Sequence, residues 1–168
     1  MNERYLEDLH VGDRFESDAF SVTQHDIIAF AQAFDPQPFH LDAGAAKQSV
    51  FRGLVASGWH TAAMTMKLFV TGGLRLAGGS VGLGVDELRC PRPVRPGDTL
   101  RLQTEIIEIR PSRSKPDRGI IRIRNITTNQ NGEVVQTFFA SVLVRRRPAG
   151  ARNEIAPLEN PDQRHLER

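Results

Sequence analysis

The chain holds 168 residues, a formal net charge of +2 and a single cysteine, which is enough for one domain with a real core. Cys90 alone excludes an intrachain disulfide and any multi-cysteine metal site; no apolar run reaches membrane-span length, and the opening MNERYLEDLH lacks a signal-peptide core. A cytoplasmic protein without membrane contact is therefore expected, and basic residues without interleaved aromatics argue against a nucleic-acid partner.

The first half of the chain reads as helical segments. Tyr5 to Gly12 forms a lead-in, and Arg14 to Val22 predicts a first strand with imperfect alternation. Thr23-Gln-His-Asp26 has the form of a capping box, and Ile27, Phe30, Ala31 and Phe34 follow at helical spacing, predicting an amphipathic helix over 24–34. Pro36 ends it and, with Pro38, biases Asp35 and Gln37 toward extended backbone, so the Asp35–His40 stretch predicts a loop. Fully extended, five residues reach roughly 17 Å. Asp35 and His40 can therefore share a task only if this loop folds back. Leu41 to Ser49 predicts a short helix, and Phe51-Arg-Gly53 a turn. From Gly58, with Ser57 as N-cap, Trp59, Ala62, Ala63, Met66, Phe69 and Val70 fall on one helical stripe, which predicts a buried helix stopped by Gly72-Gly73.

The second half reads as strands. Val81, Leu83 and Val85 alternate with glycines, Pro91 to Pro96 is a stiff connection, and Pro96-Gly97-Asp98 is a turn. Leu100, Leu102, Thr104 and Ile106 alternate with polar residues until the phase slips at Ile106-Ile107, which predicts a bulge. Ser112 to Gly119 is a polar, basic loop, Ile120 to Thr128 a strand, Asn131-Gly132 a hairpin turn, and Val134 to Val144, apolar on both faces, a central strand. The architecture expected is α+β: about four antiparallel strands, joined by the N-terminal one and curved around a buried helix, over residues 1–147, with 148–168 a loosely ordered polar tail.

A carboxylate, an imidazole and a helix N-terminus close together suit acid/base chemistry beside an oxyanion site. Asp35-Pro-Gln-Pro-Phe-His40 resembles the signature of MaoC-like dehydratases, (R)-specific enoyl-CoA hydratases of the hot-dog fold. The likeness continues through Val55-Ala-Ser-Gly-Trp59, the usual start of that family's central helix, and through Gly84-Val-Asp-Glu-Leu-Arg89 and Pro93-Val-Arg-Pro-Gly-Asp98. It covers roughly residues 5–146 and departs at three places: Phe34 stands for a glycine, Gln37 for an asparagine and Ser57 for a frequent histidine.

The resemblance implies a hydro-lyase of acyl-CoA or acyl-carrier thioesters in fatty acid metabolism. Asp35 and His40 would activate a water, their acid and base roles unassigned, and the Gly58 N–H would face the thioester oxygen. Gln37, Ser57 and Trp59 are the expected substrate-contacting residues, with Gln37 orienting a water or its loop and Ser57 a cap rather than a nucleophile. No cofactor is expected beyond the coenzyme A thioester as substrate, no metal, and a homodimer or dimer of dimers. His60 reads as a satisfied structural histidine and Cys90 as inert; the basic loop at Arg110, Arg113, Lys115 and Arg118 and the Arg145–Arg147 run are either solvated or contacts for coenzyme A phosphates. A thioesterase on the same fold and a non-catalytic acyl-thioester-binding subunit stay open as alternatives.

Overall fold

The computed structural model describes residues 3–148. Most of the predicted 148–168 tail lies outside the described residues. A 3-10 turn at Leu6–Asp8 leads into two short strands, β1 (Arg14–Glu16) and β2 (Phe20–Ser21), where the sequence predicted one. Helix α1 (Gln24–Phe34) begins where the capping box places it, with the Asp26 N–H donating to Thr23 Oγ1 at 3.1 Å. Two short helices, α2 (Pro38–Leu41) and α3 (Ala43–Gln48), precede α4 (Gly58–Thr71). Four long strands complete the chain: β3 (Val81–Arg89), β4 (Thr99–Pro111), β5 (Arg118–Thr128) and β6 (Val134–Arg145).

The strands form one antiparallel sheet in the order β1-β4-β5-β6-β3, with β2 also on β4. Strict alternation on β5 sends Ile121, Ile123, Asn125 and Thr127 to the inner face and leaves the residues between them half-covered. The predicted slip in β4 is a bulge between Ile106 and Glu108, and β3 carries irregularities at Gly82/Gly84 and Asp86/Arg89. Such bulges bend and twist a strand. Helix α4 packs on the inner face, where Met64, Leu68 and Phe69 join Leu100, Leu102, Ile106, Ile123, Phe138 and Val142 in one core. This is the hot-dog architecture of the α+β class.

Three expectations need correction. The Asp35–His40 stretch is not wholly a loop: Pro38 occupies the first turn of α2, where a missing N–H costs nothing, and His40 sits in that turn. The apolar stripe of α4 is only in part its buried face, Phe69 being its one buried member. His60, Thr61, Met64, Thr65, Leu68 and Phe69 are inside, whereas Trp59 (69 % exposed), Met66 and Val70 are outside. Threonines can line the core because each hydroxyl is paired, Thr61 Oγ1 donating to Ser57 O at 3.2 Å and Thr65 Oγ1 meeting Thr127 Oγ1 at 2.8 Å. Strand β6 does lie inside the sheet, but its burial alternates rather than being equal on both faces.

The basic run is largely spoken for. Arg146 Nε donates to Glu7 Oε1 at 2.7 Å, and Arg147 Nη2 donates to both Asp8 carboxylate oxygens at 2.7 and 2.8 Å, clasping the Leu6–Asp8 turn to the segment that follows β6. Arg118 pairs with Asp117. The groove beside these arginines, about 830 Å³ in volume, shares no lining residue with the Asp35–His40 region. No helix among the described residues is long and apolar enough to cross a membrane.

His60 is buried and stacks on Phe30, ring centroids 4.6 Å apart, but it is not satisfied: its Nδ1 has no hydrogen-bond partner. Burial pushes its pKa below the ordinary 6.5, with His40 acting in the same direction and Asp26 opposing. As pH falls below that ordinary value the unfolded chain takes the proton and the folded chain resists it, so stability drops. Urea melts at about pH 7.5 and about pH 5.5 should show this loss. His60→Phe, which keeps the stack on Phe30, should shrink it.

Candidate active site

The site is built where α1 ends and α4 begins. Asp35 is the C-cap of α1, and the following Pro36 and Pro38 turn the chain back so that α2 brings His40 beneath it. The loop does fold back: His40 Nε2 stands 3.5 Å from Asp35 Oδ2. The other ring nitrogen, Nδ1, lies 2.7 Å from the carbonyl of Val55. A carbonyl only accepts, so Nδ1 carries a hydrogen, and Nε2 is the ring nitrogen turned toward the carboxylate.

Asp35 is held from two sides. Ser57 Oγ donates to Oδ2 at 2.6 Å and Gln37 Nε2 donates to Oδ1 at 2.8 Å. These two hydrogen bonds, the Ser57 one foremost, with the nearby His40, hold its pKa below the usual carboxylate value against the opposing effect of burial. The same Ser57 oxygen accepts the Trp59 N–H at 3.2 Å and so caps α4.

The Gly58 N–H, first in α4, makes no hydrogen bond among the described residues, while the Gly58 carbonyl accepts from Gln136 Nε2 at 3.1 Å. Glycine is not demanded there by backbone conformation, since its φ is not positive. A Cβ would sit 3.4 Å from Cys90 Sγ, inside the cleft.

All six residues named from the sequence line one cleft of about 550 Å³: Asp35, Gln37, His40, Ser57, Gly58 and Trp59. Phe39, Phe51, Leu88 and Cys90 complete much of its wall. The sequence reading missed Gln136, which is wholly buried. Besides holding Gly58, it reaches Cys90 Sγ at 3.4 Å and accepts from Thr65 Oγ1 at 3.3 Å, tying β6 to the head of α4. A glutamine inside the apolar run Val134–Val144 was the available signal, because a buried amide must find partners. Among the described residues no cluster of three or more His, Cys, Asp or Glu has the geometry to hold a metal ion.

The hot-dog sheet thus carries a carboxylate and an imidazole side by side at the head of its central helix. Residues 9–129 match the MaoC like domain, and the chain belongs to that family. It is 31 % identical to the uncharacterized protein YdeM of Bacillus subtilis over 141 residues, 84 % of this chain and 99 % of that protein. The crystal structure of a MaoC-like dehydratase from Rhodospirillum rubrum is similar at 56 % identity and TM-score 0.83, covering 86 % of this chain and 99 % of that one. An (R)-hydratase from Pseudomonas aeruginosa is similar at 28 % identity and TM-score 0.71, covering 85 % and 86 % respectively.

Replacing Ser57 by alanine removes the foremost hydrogen bond to Asp35 and the cap of α4 together. The Asp35 pKa should then rise toward the ordinary 3.8, as read by NMR titration of its side-chain carboxyl carbon. The missing cap should lower stability by about 1 kcal/mol.

Proposed function

We propose that this protein hydrates trans-2-enoyl thioesters, or dehydrates the corresponding 3-hydroxyacyl thioesters, in the cleft at the head of α4. The observation that carries this reading is the convergence of Asp35 Oδ2 and the free Nε2 of His40, 3.5 Å apart, with the unpaired Gly58 N–H lining the same cleft. The likeness to an (R)-hydratase supports it.

One water oxygen can lie within hydrogen-bond reach of both Asp35 Oδ2 and His40 Nε2. Asp35, kept ionised by Ser57 and Gln37, orients that water without becoming its strongest base. As the water oxygen bonds to C3, its proton passes to His40 Nε2, and the C2–C3 π electrons move toward the thioester oxygen. The Gly58 N–H and the positive end of α4 stabilise the negative charge that gathers there. His40 Nε2–H then returns the proton to C2, completing addition of one water. Val55 holds the ring in the tautomer this transfer requires. Gln37 and Ser57 act through Asp35 as positioning residues, and Trp59 lines the same cleft beside them. The chemistry calls for no cofactor beyond the thioester itself.

The protein works as a homodimer in this reading. Among the described residues, strand β3 has β6 on one side and an unpaired edge on the other. Val81, Leu83 and Val85 on it are each about half exposed or more, and Trp59, Met66 and Val70 extend the apolar surface. A strand edge that exposes apolar side chains over Val81–Val85 is normally covered.

Purified protein should consume the conjugated-enoyl absorbance of short trans-2-enoyl-CoA thioesters. Asp35→Asn and His40→Ala should each lower kcat by about 100-fold or more while circular dichroism stays unchanged. Release of free coenzyme A instead, or equal activity in the variants, would overturn the assignment. By light scattering, the wild type should have twice the 18.7 kDa mass of one chain, and Leu83→Lys with Val85→Lys should reduce it to a single chain. A wild type of single-chain mass would remove the dimer.

A further inference from the structure

A second cavity, of about 490 Å³, lies between α4 and the sheet. It meets the active-site cleft at Trp59 and Leu88, which line both. Its walls are mostly apolar, from Met66, Phe69, Leu83, Ile123 and Phe138, with two polar residues among them, Ser80 and Asn125. Asn125, on the inner face of β5 and only 2 % exposed, reaches the same cavity.

Asn125 Oδ1 accepts from Thr104 Oγ1 at 2.6 Å, and this is the one hydrogen bond its side chain makes among the described residues. Half of the amide is therefore left facing a mostly apolar space. A polar group that opens onto a cavity takes its partner from whatever fills that cavity, and is costly to leave without one. The neighbouring polar core residues do not share the defect: Thr65, Thr127 and Gln136 pair with one another and with the backbone of Gly58.

We propose that this cavity receives the acyl tail of the substrate and that Asn125 selects tails bearing a hydroxyl group. The inference rests on the hydratase reading for the orientation of the thioester. It rests on the unpaired amide for the chemistry of the tail. A half-turn about its last side-chain bond lets the amide offer either its N–H or its carbonyl to the cavity, with Thr104 donating or accepting in exchange. A hydroxyl both donates and accepts, so it satisfies either arrangement. A terminal methyl satisfies neither and leaves the amide desolvated.

The test is binding rather than turnover, so that it stands apart from catalysis. Saturated acyl-CoA thioesters from butanoyl to octanoyl are compared by calorimetry with chains of equal heavy-atom count ending in a hydroxyl. At the length that reaches Asn125, the hydroxylated chain should bind roughly fivefold to tenfold more tightly, the reach of one hydrogen bond. Thr104→Val with Asn125→Leu removes both polar partners and avoids stranding either one. It should erase or reverse the preference while the shortest chains bind as before. Equal or weaker binding of the hydroxylated chain at every length, or a preference that survives the double variant, would overturn the proposal. So would failure of every thioester to bind. Enoyl thioesters run in parallel separate the two readings: binding with tail preference but no hydration removes the hydratase assignment alone, and hydration without tail preference removes this inference alone.

Discussion

One hydroxyl group joins the local structure of the chain to its chemistry. Ser57 Oγ accepts the Trp59 N–H, which starts α4, and donates to Asp35 Oδ2, which fixes the end of α1. A helix cap and a site carboxylate are thereby set by the same atom. Moving either helix disturbs the other, because a hydroxyl has one proton to give. The remaining contacts follow from this arrangement: Gln37 closes the other carboxylate oxygen, and the Val55 carbonyl just before Ser57 turns the His40 ring. Three residues of one short segment, 55, 57 and 58, thus contribute a ring anchor, a carboxylate donor and a free N–H.

The sheet supports this segment from below. Its inner face is not uniformly apolar: Thr104, Asn125, Thr127 and Gln136 interrupt the rows of isoleucine, leucine and valine. Two of them serve the helix. Thr127 meets Thr65 in the middle of α4, and Gln136 holds the Gly58 carbonyl at its head. Directional bonds of this sort fix the rotation and height of a helix, where dispersion contacts alone leave neighbouring arrangements close in energy. The axial position of the Gly58 N–H relative to the Asp35–His40 pair depends on that restraint.

Much of this was legible in the chain. The α1 limits, the β4 bulge, the Asn131-Gly132 turn and the six cleft residues all came from local signals: a capping box, a phase slip, a φ-demanding turn and an ordered motif. What was not legible depended on long-range pairing. The stripe of Trp59, Met66 and Val70 had the right period for a buried face, yet polar Thr61 and Thr65 were buried in its place. Periodicity locates an apolar face but does not say which partner covers it; the Thr65 hydroxyl found its partner on a strand far along the sequence. Gln136 was hidden for the same reason: its role is defined by a carbonyl 78 residues away. Arg146 and Arg147, ambiguous as a basic run, found their carboxylates 139 residues away.

The sheet's connectivity sets an order of events on the way to this structure. Strands β4, β5 and β6 follow one another through short connections, so their pairing closes small loops at little entropic cost. Strand β1 must find β4 across a separation of 91 residues at the Arg14–Glu105 contact, and Gln136 must find Gly58 across 78. Non-local contacts of this kind form after the local meander has given them a surface to land on. The meander therefore acts as a template, and the segment that carries Asp35, His40 and Ser57 docks onto it late. A newly made chain would gain the β4–β5–β6 meander before it gains its cleft.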